Sequence, residues 1–73
     1  MTRPQKHSLT LKGHRTSVSL EPEFWHAFRD LAVRQGLGIN QLATQIDLAR
    51  GERGLASAIR LAVLADLQDQ RQR

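Results

Sequence analysis

The amino-acid sequence predicts a small, mostly α-helical domain with one short β-strand followed by three helices, the strand pairing with the same strand of a second copy. Three observations predict it. Arg15-Thr16-Ser17-Val18-Ser19-Leu20 alternates polar and apolar residues, the period-two signature of a half-buried strand. Past Pro22, apolar residues recur at the i, i+3, i+4 spacing of amphipathic helices in three stretches separated by glycines. With 73 residues and 40% hydrophobic content, the chain alone buries a modest share of its surface, so a partner subunit is expected to complete the core.

Residues 1–14 mix basic, polar and turn-forming side chains and are expected to be a flexible basic arm. The brief alternation at Leu9 and Leu11 leaves open a short extra strand or a packing contact on the dimer. In the strand over 15–20, Thr16, Val18 and Leu20 face one side and Arg15, Ser17 and Ser19 the other. Pro22 lacks an N–H and ends the ladder. One strand cannot satisfy its own backbone groups, hence the expectation of a homodimer joined by an intermolecular two-stranded antiparallel ribbon.

A helix over 22–35 follows, with Pro22 in its first turn and Glu21 and Glu23 at the positive end of its dipole. Phe24, Ala27, Phe28, Leu31 and Ala32 form its buried stripe, which Trp25 extends. Gly36 fits the left-handed position after a helix end, with Leu37 folding back on it. A helix over 39–50 opens at Gly38 and lines Ile39, Leu42, Ala43, Ile46 and Ala49 along one face. Gly51 and Gly54 break it. A third helix over 55–70 carries Ile59 and Val63 on its core face, and Leu61, Leu64 and Ala65 widen its apolar surface, so the other subunit is expected to cover its second side. Residues 71–73 form a polar tail. The folded domain is therefore expected over 15–70, with a dimer core of Thr16, Val18, Leu20, Phe24, Phe28, Leu31, Ile39, Leu42, Ile46, Ile59 and Val63.

The formal charge is +4, and its placement says more than its sum. Arg3, Lys6, Lys12 and Arg15 stand in the first twenty residues without an acid, while cations and acids balance in the remainder. Such an asymmetry beside a polar strand face favours a phosphate-rich partner. Arg15 can bond guanine O6 and N7 bidentately, and Ser17 and Ser19 can donate or accept at either type of base pair. Lys6, Lys12 and His14 are suited to phosphate, with His7 solvated or contacting phosphate as well. The N-terminus of the second helix, at Gly38, Ile39 and Asn40, has free N–H groups that can hold an anion. There is no cysteine, and the histidines are too few for a metal site, so neither metal nor cofactor is expected. His26 is the single candidate base in the folded part, without an acidic pair or phosphate loop, so an enzyme is not expected. No apolar run approaches bilayer length, and a cytoplasmic, nucleoid-associated protein is expected.

The order of these segments resembles the ribbon-helix-helix family of bacterial and phage DNA-binding proteins, to which the Arc and MetJ repressors belong. The residues that carry the resemblance are Arg15-Thr16-Ser17-Val18-Ser19-Leu20, Pro22-Glu23-Phe24-Trp25 and Gln35-Gly36-Leu37-Gly38-Ile39-Asn40. The segment from Gly51 to Arg60 looks like a branch with an added helix. The resemblance implies double-stranded DNA as partner, a homodimer able to associate further on DNA, base contacts from Arg15, Ser17 and Ser19 in the major groove, and a phosphate anchor at Gly38, Ile39 and Asn40. A transcriptional repressor is the expected function. Two alternatives stand beside it. The Ala32-x3-Gly36 spacing suits a helix-turn-helix with residues 39–50 as recognition helix, although Gln35 and Gln45 would then occupy core positions. The third helix could instead hold another protein, as in an adaptor or antitoxin-like module.

Overall fold

In the computed structural model, which describes residues 3–72, Lys12 and Gly13 both have positive φ, 52° and 80°. Two consecutive left-handed residues make the two-residue turn whose twist matches that of the strands it connects. Here it connects β1 (Gln5–Leu11) to β2 (His14–Leu20), and the two pair antiparallel from Leu11 with His14 to Gln5 with Leu20. The expected strand is thus paired within the chain, and most of the expected arm is its partner; the ribbon in this structure is intramolecular. The turn is hard to see in sequence because lysine seldom takes a positive φ, whereas Asn-Gly would have announced it. Met1 and Thr2 of the expected arm, and Arg73 of the expected tail, lie outside the described residues.

Three helices follow, α1 (Pro22–Arg34), α2 (Ile39–Ala49) and α3 (Leu55–Arg71). Each begins where the sequence expects it, and the ends differ from expectation by one residue. Pro22 opens α1 and Glu23 lies in its first turn. Its end is closed by Gly36 at φ 70°, with Leu37 N–H donating to the Ala32 carbonyl and Gly36 N–H to that of Val33, a Schellman closure. Leu37 packs back on the core as its hydrophobic contact.

The hairpin lies on the helices by one face. Leu9, Val18 and Leu20 are buried there against Phe28, Leu31, Leu42, Ile59 and Val63, while Thr16, Phe24, Ile39 and Ile46 are half-buried at the margin. Leu9, Leu20, Phe28 and Ile59 are the largest side chains fully removed from water. One chain therefore closes a core of its own, with β1 supplying the strand partner that the sequence assigned to a second copy. His7, expected at the surface, faces inward and stacks on Trp25 with ring centroids 3.9 Å apart, because its position has the same parity as Leu9 and Leu11.

Polar anchors orient the layers. Arg34 of α1 holds Asp66 of α3 through two bonds, of 3.1 and 2.7 Å. Arg60 of α3 donates to Glu21 at 3.0 Å and to the Ser19 carbonyl at 3.3 Å, and lies over the Phe24 ring. Backbone hydrogen bonding at Glu21, and then the Arg60 guanidinium, hold the Glu21 carboxyl below its ordinary value.

If β1 belongs to the core, Leu9→Ala should cost about 2–5 kcal/mol in urea denaturation, a large part of the ~5–15 kcal/mol that holds a small domain together. A loose arm would leave the midpoint unchanged. Because the folded pKa of Glu21 lies below its unfolded value of 4.5, its contribution is present above that pH and lost as pH falls through the folded value. The melting temperature should therefore drop on acidification, and Glu21→Gln should remove part of that slope. The comparison is thermal denaturation of both chains over about pH 3 to 6.

Candidate nucleic-acid interface

The turn fixes which side chains share the other face of the hairpin. Lys6, Ser8 and Thr10 of β1 stand opposite Ser19, Ser17 and Arg15 of β2, and all six are exposed. In a two-residue hairpin the residues flanking the turn form a hydrogen-bonded pair, and the pairs then alternate. These three pairs are consequently the non-bonded ones, whose Cα atoms approach to about 4.5 Å. Their own N–H and C=O groups point out along the two edges of the ribbon. The face carries two cations, four hydroxyls and no acid. Lys12 stands beyond it at the turn and is exposed; His14, exposed too, pairs with Leu11 and has the parity of the opposite face.

Its dimensions suit a duplex groove. Outward side chains recur every second residue, roughly 6.8 Å along a strand, about two base-pair steps of 3.4 Å. A major groove roughly 12 Å wide admits a two-stranded ribbon.

The first turn of α2 abuts the β1 edge. Asn40 Oδ1 accepts from the Thr10 N–H at 2.9 Å, which ties the helix start to the strand. Gly38 N–H is taken by Gln41 Oε1 at 2.8 Å. The N–H groups of Ile39 and Asn40 lie in the first helical turn, which has no intrahelical acceptors for them, and the helix dipole places partial positive charge there. On the β2 edge, Arg60 occupies the Ser19 carbonyl. The ribbon is thus anchored at both edges, by α2 on one side and α3 on the other.

Arg15, Ser17 and Ser19 come together on one face as the sequence predicts. Lys6, read as part of a loose arm, joins them across from Ser19. Ser8 and Thr10 were missed; the signal was the alternation Lys6, Ser8, Thr10, which is informative only once Lys12-Gly13 is recognised as a turn. Gly38, Ile39 and Asn40 sit beside the hairpin, although the Asn40 oxygen is already used within the chain. Gln35 and Gln45, which a helix-turn-helix would need in its core, are both exposed. Among the described residues no helix is long and apolar enough to cross a membrane.

A family model described as the ribbon-helix-helix domain matches residues 4–67. Neither curated proteins nor solved structures give a match. The family match spans the hairpin, α1, α2 and most of α3, so the strand face and the helix start beside it lie within the matched segment. The chain belongs to the ribbon-helix-helix domain family, a family of DNA-binding regulators.

Proposed function

We propose that this chain is a sequence-specific DNA-binding homodimer that represses or otherwise regulates transcription by placing its β-hairpin in the major groove. The observation that carries the proposal is the outward face of the hairpin: six exposed side chains without an acid, on a ribbon of groove width. Arg15, Ser17 and Ser19 contact base edges, and Ser8 and Thr10 lie close enough across the ribbon to join them. Lys6, Lys12 and His14 meet phosphates at the groove margin, as does the N-terminus of α2 at Gly38, Ile39 and Asn40. A cytoplasmic, nucleoid-associated protein of bacterial or phage type fits this role.

Division of labour between base and backbone contacts is what the variants test. Selection of bound duplexes from a random pool should return a short common sequence. Arg15→Ala should lower affinity for it by about 1–3 kcal/mol and relax preference at one position. Lys12→Ala should weaken all sequences alike and reduce the salt slope by about 1. Asn40→Asp should weaken binding and leave the fold intact, because a carboxylate still accepts the Thr10 N–H and suits a helix start, yet repels phosphate. Pool selection without a common sequence, together with Arg15→Ala and Asn40→Asp binding like the parent, would exclude the hairpin as reader.

A further inference from the structure

The two strands of the hairpin carry one pattern twice. Set nine residues apart, Gln5-Lys6-His7-Ser8-Leu9-Thr10-Leu11 and His14-Arg15-Thr16-Ser17-Val18-Ser19-Leu20 match cation with cation at Lys6 and Arg15, serine with serine at Ser8 and Ser17, and hydroxyl with hydroxyl at Thr10 and Ser19. Leu9 matches Val18 and Leu11 matches Leu20, whereas Gln5 with His14 and His7 with Thr16 are unlike. Exposure repeats as well, differing only in that Leu11 is half-buried where Leu20 is buried. In a register that pairs Ser8 with Ser17, the shift from one strand to the other is a half-turn about an axis normal to the sheet through that pair. The half-turn keeps each side chain on its own face and brings Lys6 onto Arg15, Ser8 onto Ser17 and Thr10 onto Ser19. A single hairpin thus has a pseudo-twofold axis, with its cations at diagonal corners of the outward face.

Burial accounts for the inner half of this repeat, because Leu9 and Val18 both pack under the helices. It does not account for the outer half. Those six side chains are in water, where the core does not require the same three chemistries in the same order twice. The anchors obey the axis too: Thr10, held by Asn40 at the β1 edge, and Ser19, held by Arg60 at the β2 edge, are mates under it. A partner that fits both halves of such a face has a twofold of its own, and the dyads that relate the two strands of a DNA duplex provide one.

We infer that one hairpin reads a short inverted repeat, its axis through Ser8 and Ser17 set on a dyad of the duplex, so that Lys6 contacts on one strand the counterpart of the guanine that Arg15 contacts on the other. Lysine as well as arginine bonds guanine O6 and N7. Along the ribbon Lys6 and Arg15 are about 14 Å apart, roughly four base-pair steps, which sets the spacing of the two guanines. The inference rests on the DNA-binding reading above and moves Lys6 from the groove margin to a base edge.

Pool selection with the full chain and its variants tests it. The sequence returned by the parent should contain a guanine on each strand in inverted repeat, roughly four steps apart. Arg15→Ala should relax preference at one of these guanines and Lys6→Ala at the other, each lowering affinity for the parent sequence roughly 5- to 100-fold. Far-UV circular dichroism should be unchanged in both, since both side chains are exposed. Lys6→Arg, which makes the outer repeat closer, should return the parent sequence with that guanine at least as strongly preferred. Three results would overturn the inference and leave the DNA-binding proposal standing: a common sequence without this inverted repeat, a Lys6→Ala chain that binds all duplexes more weakly yet selects the parent sequence unchanged, or loss of the guanine preference in Lys6→Arg. A pool without any common sequence would remove both.

Discussion

The structure depends on a turn of two left-handed residues. With Lys12 and Gly13 at positive φ, the register of β1 on β2 is set, and a slip of one residue would exchange the faces of a strand. Register puts Leu9, Val18 and Leu20 under the helices and by the same geometry puts Lys6, Ser8, Thr10, Arg15, Ser17 and Ser19 in water. Burial of one face is thus what displays the other. A lysine at φ 52° is unusual for a residue with a Cβ, and the packing of Leu9 and Leu11 on the core holds it there.

Anchors at the margins of the hairpin act on position more than on stability. Exposed ion pairs contribute about 0–1 kcal/mol each, and Arg34–Asp66 and Arg60–Glu21 are partly exposed. Their geometry is more telling. Arg60 meets a carboxylate, a strand carbonyl and an aromatic ring at once, which fixes α3 against the end of β2 and the start of α1. Asn40 does the corresponding work on the β1 edge and brings a helix N-terminus alongside the polar face. A planar guanidinium and a side-chain amide direct their bonds, so each sets an angle as well as a distance.

Size explains the remaining architecture. A strand and two helices of this length enclose little core, and the chain adds β1 beneath and α3 across the helices to enclose more. The addition leaves α3 with apolar residues on two sides. Ile59 and Val63 are used within the protomer, and Leu61 and Leu64 are left half in water. The polar hairpin face and the exposed leucines of α3 are therefore separate surfaces of the chain.

What the sequence by itself determined is local. Period-two alternation in β2, the 3.6 period of the helices, Pro22 and Gly36 at their ends, and the sidedness of Arg15, Ser17 and Ser19 all follow from residues within a turn or two of one another, where propensity and patterning act. The tertiary structure decided what pairs with what. β1 has the alternation of a strand, yet its leucines are few and its turn lacks the usual asparagine, so only the contact of Leu9 with Phe28, Ile59 and their neighbours selects hairpin over arm. The same pairing brought Ser8 and Thr10 to the polar face, turned His7 inward onto Trp25, and set Asn40 against the strand edge. Each of these depends on segments far apart in the chain meeting across a shared core, and burial of that core, which no single segment encodes, is the free energy that arranges them.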